Sequence, residues 1–272
     1  MLRTALYQTS LRTSPLTILY VNFFPVVYVQ KAMFGMKNGG LLIAFEGPDG
    51  SGKTTQRKLL KSWLTGQGKD VVVTKWNSSP LIKPVLKARK AERSLMPAQF
   101  AELAAADFRD RLDTEIVPAL EQGKTVIADR YVFTGIARDV ARGLDREWSM
   151  KLYEPILEPD LVFYFSVSPE TCASRIALSR QPSFYEAGQD VTGLTDPFQS
   201  YDRFIRKVIH EYERLSKQFS FTLIDGEQSI SDQHETIVVL WRELEASQLF
   251  RQAASYLPPP LLARFEAVRQ SS

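Results

Sequence analysis

Short apolar runs alternate with longer amphipathic stretches along this 272-residue chain. LLIAFE (41–46) is apolar until its last residue and runs into a glycine-rich segment, the pattern of a buried strand. A helix is predicted from about Lys53 to Leu64, stopped near Gly66 and Gly68. VVVTKW (71–76) is a second β-branched run, and Pro80 and Pro84 mark a loop and the start of a short helix. Residues 96–123, rich in Ala, Leu and Glu, predict one long helix, bent or broken near Pro118. TVIAD (125–129), PDLVFYFSV (159–167) and SFTLID (220–225) read as three further strands, with helices over 169–179, 198–216 and 231–246.

This alternation predicts an α/β domain: a five-stranded, mainly parallel sheet, three layers deep, with helices on both faces. There is no internal repeat, and YLPPPLL (256–262) punctuates a C-terminal tail, 247–272, whose last residues are expected to be mobile.

An apolar fraction of 44% and a charged fraction of 24% are ordinary for a water-soluble domain with a core of its own. Cys172 is the only cysteine, so no intrachain disulfide can form and a reducing compartment is expected. His210 and His234 stand apart and have no cysteine neighbours, so no structural zinc set is present.

The pI of 8.9 suggests a basic protein, but the excess is confined to one end. Residues 1–40 hold Arg3, Arg12, Lys31 and Lys37 and no acid. Without these four, 30 of the 34 Lys and Arg face all 31 acids, so residues 41–272 carry −1. A nucleic-acid partner would call for clustered bases on the body, and none is expected. Residues 1–36 stand apart as an extension. LTILYVNFFPVVYV (16–29) has 14 residues, interrupted by Asn22 and Pro25, where a membrane-spanning helix needs about 20, so no stable span is expected. Translation from Met33 or Met36 is the plainer reading, and an organellar transit peptide is the alternative.

FEGPDGSGKTT (45–55) contains G-x-x-x-x-G-K-T between a predicted strand and a predicted helix. Glycines let the backbone curl so that its N–H groups face phosphate oxygens, and the helix N-terminus adds its positive end. Lys53 is placed to reach the β- and γ-phosphates of a nucleoside triphosphate, and the Thr54 hydroxyl to ligate Mg2+. The nucleotide-binding set is Gly47, Pro48, Asp49, Gly50, Ser51, Gly52, Lys53, Thr54 and Thr55. GTPase switches, motor or transport ATPases and small-molecule kinases share this phosphate-binding (P-) loop. No N-K-x-D sequence reads a guanine, and the third strand ends IADR, with Arg130 where a motor ATPase has its water-activating Glu. A guanidinium there favours transfer to a bound anionic acceptor.

VIADRYVFTGIARDVARGL (126–144) starts at the C-terminal end of that strand, where open α/β sheets hold ligands. Asp129 is placed to assist Mg2+ and Arg130 to hold a phosphate. Arg138, Asp139 and Arg142 follow on a helix or loop. For Arg142 a solvated helix face with local ion pairs is the stronger reading.

Over about residues 40–246 the chain resembles the thymidylate kinase family of nucleoside monophosphate kinases. The resemblance is carried by FEGPDGSGKTTQ, AAADFRDRLDTEIVPALEQGKTVIADRY, PDLVFYFSVSPETCASRI and IDGEQSISDQHETI, in that order. It implies a P-loop kinase domain over 37–246, ATP and Mg2+ as cofactors, a nucleoside monophosphate acceptor and a homodimer. AELAAADF (101–108) has the small residues for dimer packing, or equally for burial within one subunit. Residue by residue, Lys53 and Thr54 would serve ATP and Mg2+, Asp49 the acceptor sugar, and Asp129 and Arg130 the metal and the acceptor phosphate. Some members carry an arginine within the loop, where this chain has Gly50. Members that lack it supply one from a mobile lid, here expected over 180–197 with Arg180 in the catalytic role.

The chain departs from the pattern around the acceptor. Lys75 and Trp76 replace the arginine motif after the second strand, and Phe108 and Arg109 stand where the family has a single arginine after Asp107. Arg138 and Asp139 replace the Tyr-Gln pair that reads the base. An aspartate accepts hydrogen bonds only, so it could take an N3–H or an exocyclic amine. The leading expectation is phosphorylation of dTMP. The alternatives are a P-loop kinase for another nucleotide, nucleoside or metabolite, and a nucleotide-binding regulatory protein with little turnover. The expected location is cytoplasmic, or an organellar matrix if the extension is a transit peptide.

Overall fold

The computed structural model describes residues 40–254, with the side chains of 249–254 excluded. The extension 1–36 and the YLPPPLL segment lie outside the described residues, and with them the readings of a translation start, a transit peptide and a mobile end.

Five strands form one sheet in the order β2-β3-β1-β4-β5: β1 (Leu41–Glu46), β2 (Val71–Lys75), β3 (Thr125–Asp129), β4 (Leu161–Ser166) and β5 (Thr222–Asp225). Every pairing is parallel, so "mainly parallel" becomes wholly parallel. Parallel strands need crossover connections, and helices supply them on both faces of the sheet. Alternation along β1 assigns the layers. Leu41, Ile43 and Phe45 pack with Leu60, Leu64, Ile237 and Trp241, beneath α1 (Lys53–Gly66) and α10 (Ile230–Ala254). Leu42 and Ala44 face the opposite layer, with Phe108, Ile136, Tyr201 and Tyr212. That layer contains α3 (Pro97–Arg111), α5 (Val132–Ala141), α7 (Pro169–Ser179) and α9 (Pro197–Gln218).

The predicted long helix is interrupted earlier than Pro118. α3 passes into a π-helical turn at Leu112–Ile116 before α4 (Val117–Glu121). Pro118 has no N–H for the Thr114 carbonyl and its ring crowds that carbonyl, so the ladder slips upstream. Ala101, Ala104 and Ala105 of AELAAADF are buried in the chain's own core. The small residues there allow close packing within the subunit. The last helix runs to Ala254, into the segment read as tail.

Between β2 and α3 lies α2 (Lys83–Ala91); α6 (Arg146–Leu152) follows α5. The expected lid segment, 180–197, contains a short helix, α8 (Gln189–Thr192), and places Tyr185 and Ala187 in buried positions. Among the described residues no helix is long and apolar enough to cross a membrane.

Candidate active site

The register puts Phe45 beside Asp129, and Asp129 beside Lys75, so β1, β3 and β2 end level. The segments that leave these ends build the site.

Glu46 sits at the even-numbered parity of β1 and therefore points into the layer of α5 and α9. It is fully buried. Its Oε1 accepts from the Tyr131 and Thr134 N–H groups, and its Oε2 from the Thr134 and Tyr212 hydroxyls. A strand carboxylate thus caps the N-terminus of α5. Burial raises its pKa, against the hydrogen bonds and the Arg130 guanidinium.

The phosphate loop follows. Gly50 has φ 81°, and a Cβ on it would lie 2.8 Å from the Cys172 carbonyl oxygen on α7. Backbone conformation and contact both require glycine, so this loop has no room for an arginine at that position. The Lys53 ammonium is buried and donates to the Pro48 carbonyl and, at 3.0 Å, to Ser51 Oγ. Burial, with Arg130 adding, pushes it down to about 7, against Asp49, Glu46 and Asp129. Thr54 and Thr55 are exposed at the start of α1.

Arg130 adopts φ 71°, an uncommon conformation for a side-chain-bearing residue. Its Nη1 donates to the Gly47 carbonyl at 3.0 Å and to Thr134 Oγ1 at 3.2 Å, and its Nη2 pairs with Asp49 Oδ1. Arg138, one face along α5, pairs with Asp49 Oδ2. Tyr201 donates to the Asp49 carbonyl oxygen at 2.8 Å. Burial works to raise the Asp49 carboxyl, but the two guanidiniums outweigh it and hold the group well below the usual carboxylate range. The Arg57 Nε lies 2.9 Å from Asp129 Oδ2, an ion pair with no counterpart in the sequence reading.

A cavity of about 490 Å3 opens beside this cluster. Asp49, Arg130, Thr134 and Arg138 line one side, Trp76, Asn77, Lys90 and Phe100 another, and Arg180 and Ser183–Glu186 the lid side. Arg180 pairs bidentately with Glu186 and is about half exposed. Asn77, with φ 59°, is held through its N–H by Asp107, which also receives the Ser79 N–H and pairs with Arg111 at 2.8 Å.

The structure thus brings Asp49, Arg130, Arg138 and Arg180 to one cavity, and leaves three expected substrate residues away from it. Phe108 is a core residue, edge-on to Tyr131 at 5.0 Å between ring centres, because Asp107 behind it faces the loop after β2. Arg109, on the next face of α3, donates to the Glu154 carbonyl at 2.8 Å. Asp139 is buried behind the cavity wall and accepts from Tyr153 OH at 3.3 Å, because α5 turns Arg138 towards the cavity and its neighbour away. Burial pushes the Asp139 carboxyl up to about 7. Arg142 is not on a solvated face. It is buried between the Phe100 and Phe204 rings and bonded to Asp190 and the Tyr185 carbonyl. Lys75 is exposed, and Trp76 takes the cavity position.

The residues missed in sequence were Glu46, Arg57, Trp76 as a lining ring, Asn77, Lys90 and Phe100. None belongs to a spaced motif. Lys90 sits in the charged helix KPVLKARKA and has no local mark of its role.

A P-loop beside a cavity lined by Arg130, Arg138 and Arg180, with an arginine directly after Asp129, fits the class of P-loop nucleoside monophosphate kinases. The family model described as thymidylate kinase matches residues 45–237. A probable thymidylate kinase 2 of Saccharolobus solfataricus is 40% identical over 195 residues, covering 71% of this chain and 91% of that protein. A probable thymidylate kinase of Pyrococcus horikoshii is 32% identical, covering 74% and 95%, and a thymidylate kinase of Geobacillus thermodenitrificans is 32% identical, covering 77% and 93%. The chain belongs to the thymidylate kinase family, whose phosphate donor is ATP.

Proposed function

We propose that the protein transfers the γ-phosphoryl group of ATP to dTMP, giving dTDP and ADP. The observation that carries this reading is the double clamp on Asp49: Arg130 and Arg138 hold one carboxylate of the phosphate loop from within the acceptor cavity. Two cations thereby stand where a second phosphate can be held beside the first nucleotide. The acceptor phosphate is largely ionised at neutral pH and is itself the nucleophile, so no general base is needed. The bond formed joins an acceptor phosphate oxygen to the γ-phosphorus, and the bond broken is that to the β,γ-bridging oxygen, which leaves with ADP.

In this reading the loop N–H groups and Lys53 hold the ATP phosphates, Arg130 and Arg138 orient the acceptor phosphate, and Asp49 sets the spacing of the two guanidiniums. Arg180 brings positive charge over the transferring group as segment 180–197 closes. Thr54 and Asp129 offer hard oxygen donors near the loop, the chemistry Mg2+ requires, and Thr54 is exposed to receive it. When bound, Mg2+ neutralises phosphate charge. The kinase domain is proposed as residues 37–246. A homodimer is proposed from the family likeness, tested by sedimentation. A reducing, cytoplasmic setting is proposed, and the single cysteine, Cys172, is consistent with it.

The test is ADP release with ATP-Mg2+ and a panel of nucleoside monophosphates and nucleosides. Turnover with dTMP is expected; absence of dTMP-dependent ADP overturns the reading, and preference for another acceptor replaces the substrate.

A further inference from the structure

Each arginine that lines the cavity has a carboxylate partner: Arg130 and Arg138 share Asp49, and Arg180 has Glu186. Lys90 lines the same cavity and, among the described residues, has no carboxylate within ion-pair distance. Its ammonium lies 4.7 Å from the Phe100 ring centre. Burial and the guanidiniums of Arg138 and Arg142 push it down to about 8, while Asp107 acts the other way. That Asp107 carboxylate is itself engaged by Arg111 and two backbone N–H groups. A partly buried ammonium among like charges is costly unless a ligand supplies an acceptor.

The position of Lys90 indicates which part of a ligand that is. Arg130 feels Asp49, Glu46 and Asp129, the groups of the phosphate loop and β3. The charged groups acting on Lys90 are Arg138 of α5, Arg142 at its C-cap and Asp107 of α3, so of the phosphate end only Arg138 reaches it. Phe100 lies against it, and Trp76 and Asn77 line the same cavity, two aromatic side chains and an amide, the lining that suits a planar heterocycle. An ammonium has three donors and no acceptor. It welcomes a ring carbonyl and opposes an exocyclic amine.

We infer that Lys90 is a specificity-determining residue that donates to a carbonyl oxygen on the acceptor base, favouring a keto base such as thymine or uracil over an amino-bearing one such as cytosine. The inference rests on the proposed nucleoside monophosphate acceptor.

Lys90→Met and Lys90→Arg test it. Steady-state kinetics with dTMP, dUMP and dCMP would be combined with calorimetric titration of each monophosphate, and thermal melting would verify folding. Loss of one charged hydrogen bond predicts about a tenfold rise in KM and Kd for dTMP and dUMP in Lys90→Met, with kcat within about twofold. Binding of dCMP stays unchanged or improves, so discrimination narrows about tenfold, and Lys90→Arg retains most of it. Equal weakening of dTMP and dCMP would reassign Lys90 to the phosphate or the fold, and no change at all would remove it from the site; either result overturns the inference. Wild-type enzyme without dTMP-dependent ADP formation refutes the functional reading before any variant is made. Active wild type with an unaltered Lys90→Met refutes this inference alone.

Discussion

Arg142, at the C-cap of α5, is bonded to Asp190 of segment 180–197: its Nε donates to Asp190 Oδ2 at 2.8 Å, and both side chains are almost wholly buried. The same guanidinium donates to the Tyr185 carbonyl at 2.7 Å and lies between the Phe100 and Phe204 rings. One side chain therefore ties segment 180–197 to the helix that carries Arg138. The half of the segment that includes Arg180 stays outside this tie.

Arg142→Met should leave Asp190 buried without its cation. Removing one member of a buried pair costs about 3 kcal/mol or more. Urea unfolding is expected to show that loss, and limited proteolysis to find new cleavage within 180–197. Arg142→Met with Asp190→Asn should recover part of the stability, because the stranded charge is then gone. A single variant as stable as wild type would show that the tie contributes little.

Arg180→Ala tests the other half of that segment. Its ion pair with Glu186 is about half exposed on the arginine side, so stability should change by less than about 1 kcal/mol. If Arg180 acts on the transferring phosphoryl group, kcat falls about 100-fold while the acceptor KM stays within about threefold. An unchanged kcat takes Arg180 out of the mechanism.

Asp139 yields a pH prediction. Its carboxyl is raised from 3.8 to about 7 in the fold, by burial, against Arg142, Tyr153 and Arg138. The folded state then holds more protons than the unfolded state between these values. The stabilisation present below about pH 4 is lost as pH rises towards 7. Asp139→Asn cannot ionise, so its stability relative to wild type should grow from pH 4 to 7 and level off above, by an amount on the order of 2–4 kcal/mol. Because Asp139 lies behind the wall, acceptor preference should not change. Denaturant titrations at pH 5 and pH 8 distinguish the outcomes: a constant difference refutes the raised pKa, and altered base selectivity would return Asp139 to the cavity.

The strands, their crossover helices and the loop 47–55 were legible because each depends on neighbours in sequence. Apolar runs of four to six residues, glycines at the turn and a lysine at the helix start report their conformation locally. The position of Asp129 and Arg130 at the end of β3 was legible for the same reason, since they follow TVIA directly. Helix phase was harder. Residues 138, 139 and 142 look alike as a charged cluster, yet α5 turns Arg138 to the cavity, Asp139 behind its wall and Arg142 towards the lid.

The sequence by itself determined the sheet, the glycine-rich loop 47–55 and the arginine beside it at the end of β3. Only the tertiary structure decided the lining of the cavity beside that loop. Trp76, Asn77, Lys90, Phe100 and Arg138 come from the loop after β2 and from three different helices, and no spacing rule links them. Their common wall exists because both faces of a parallel sheet must be covered, and the covering helices bring distant residues together above the strand ends.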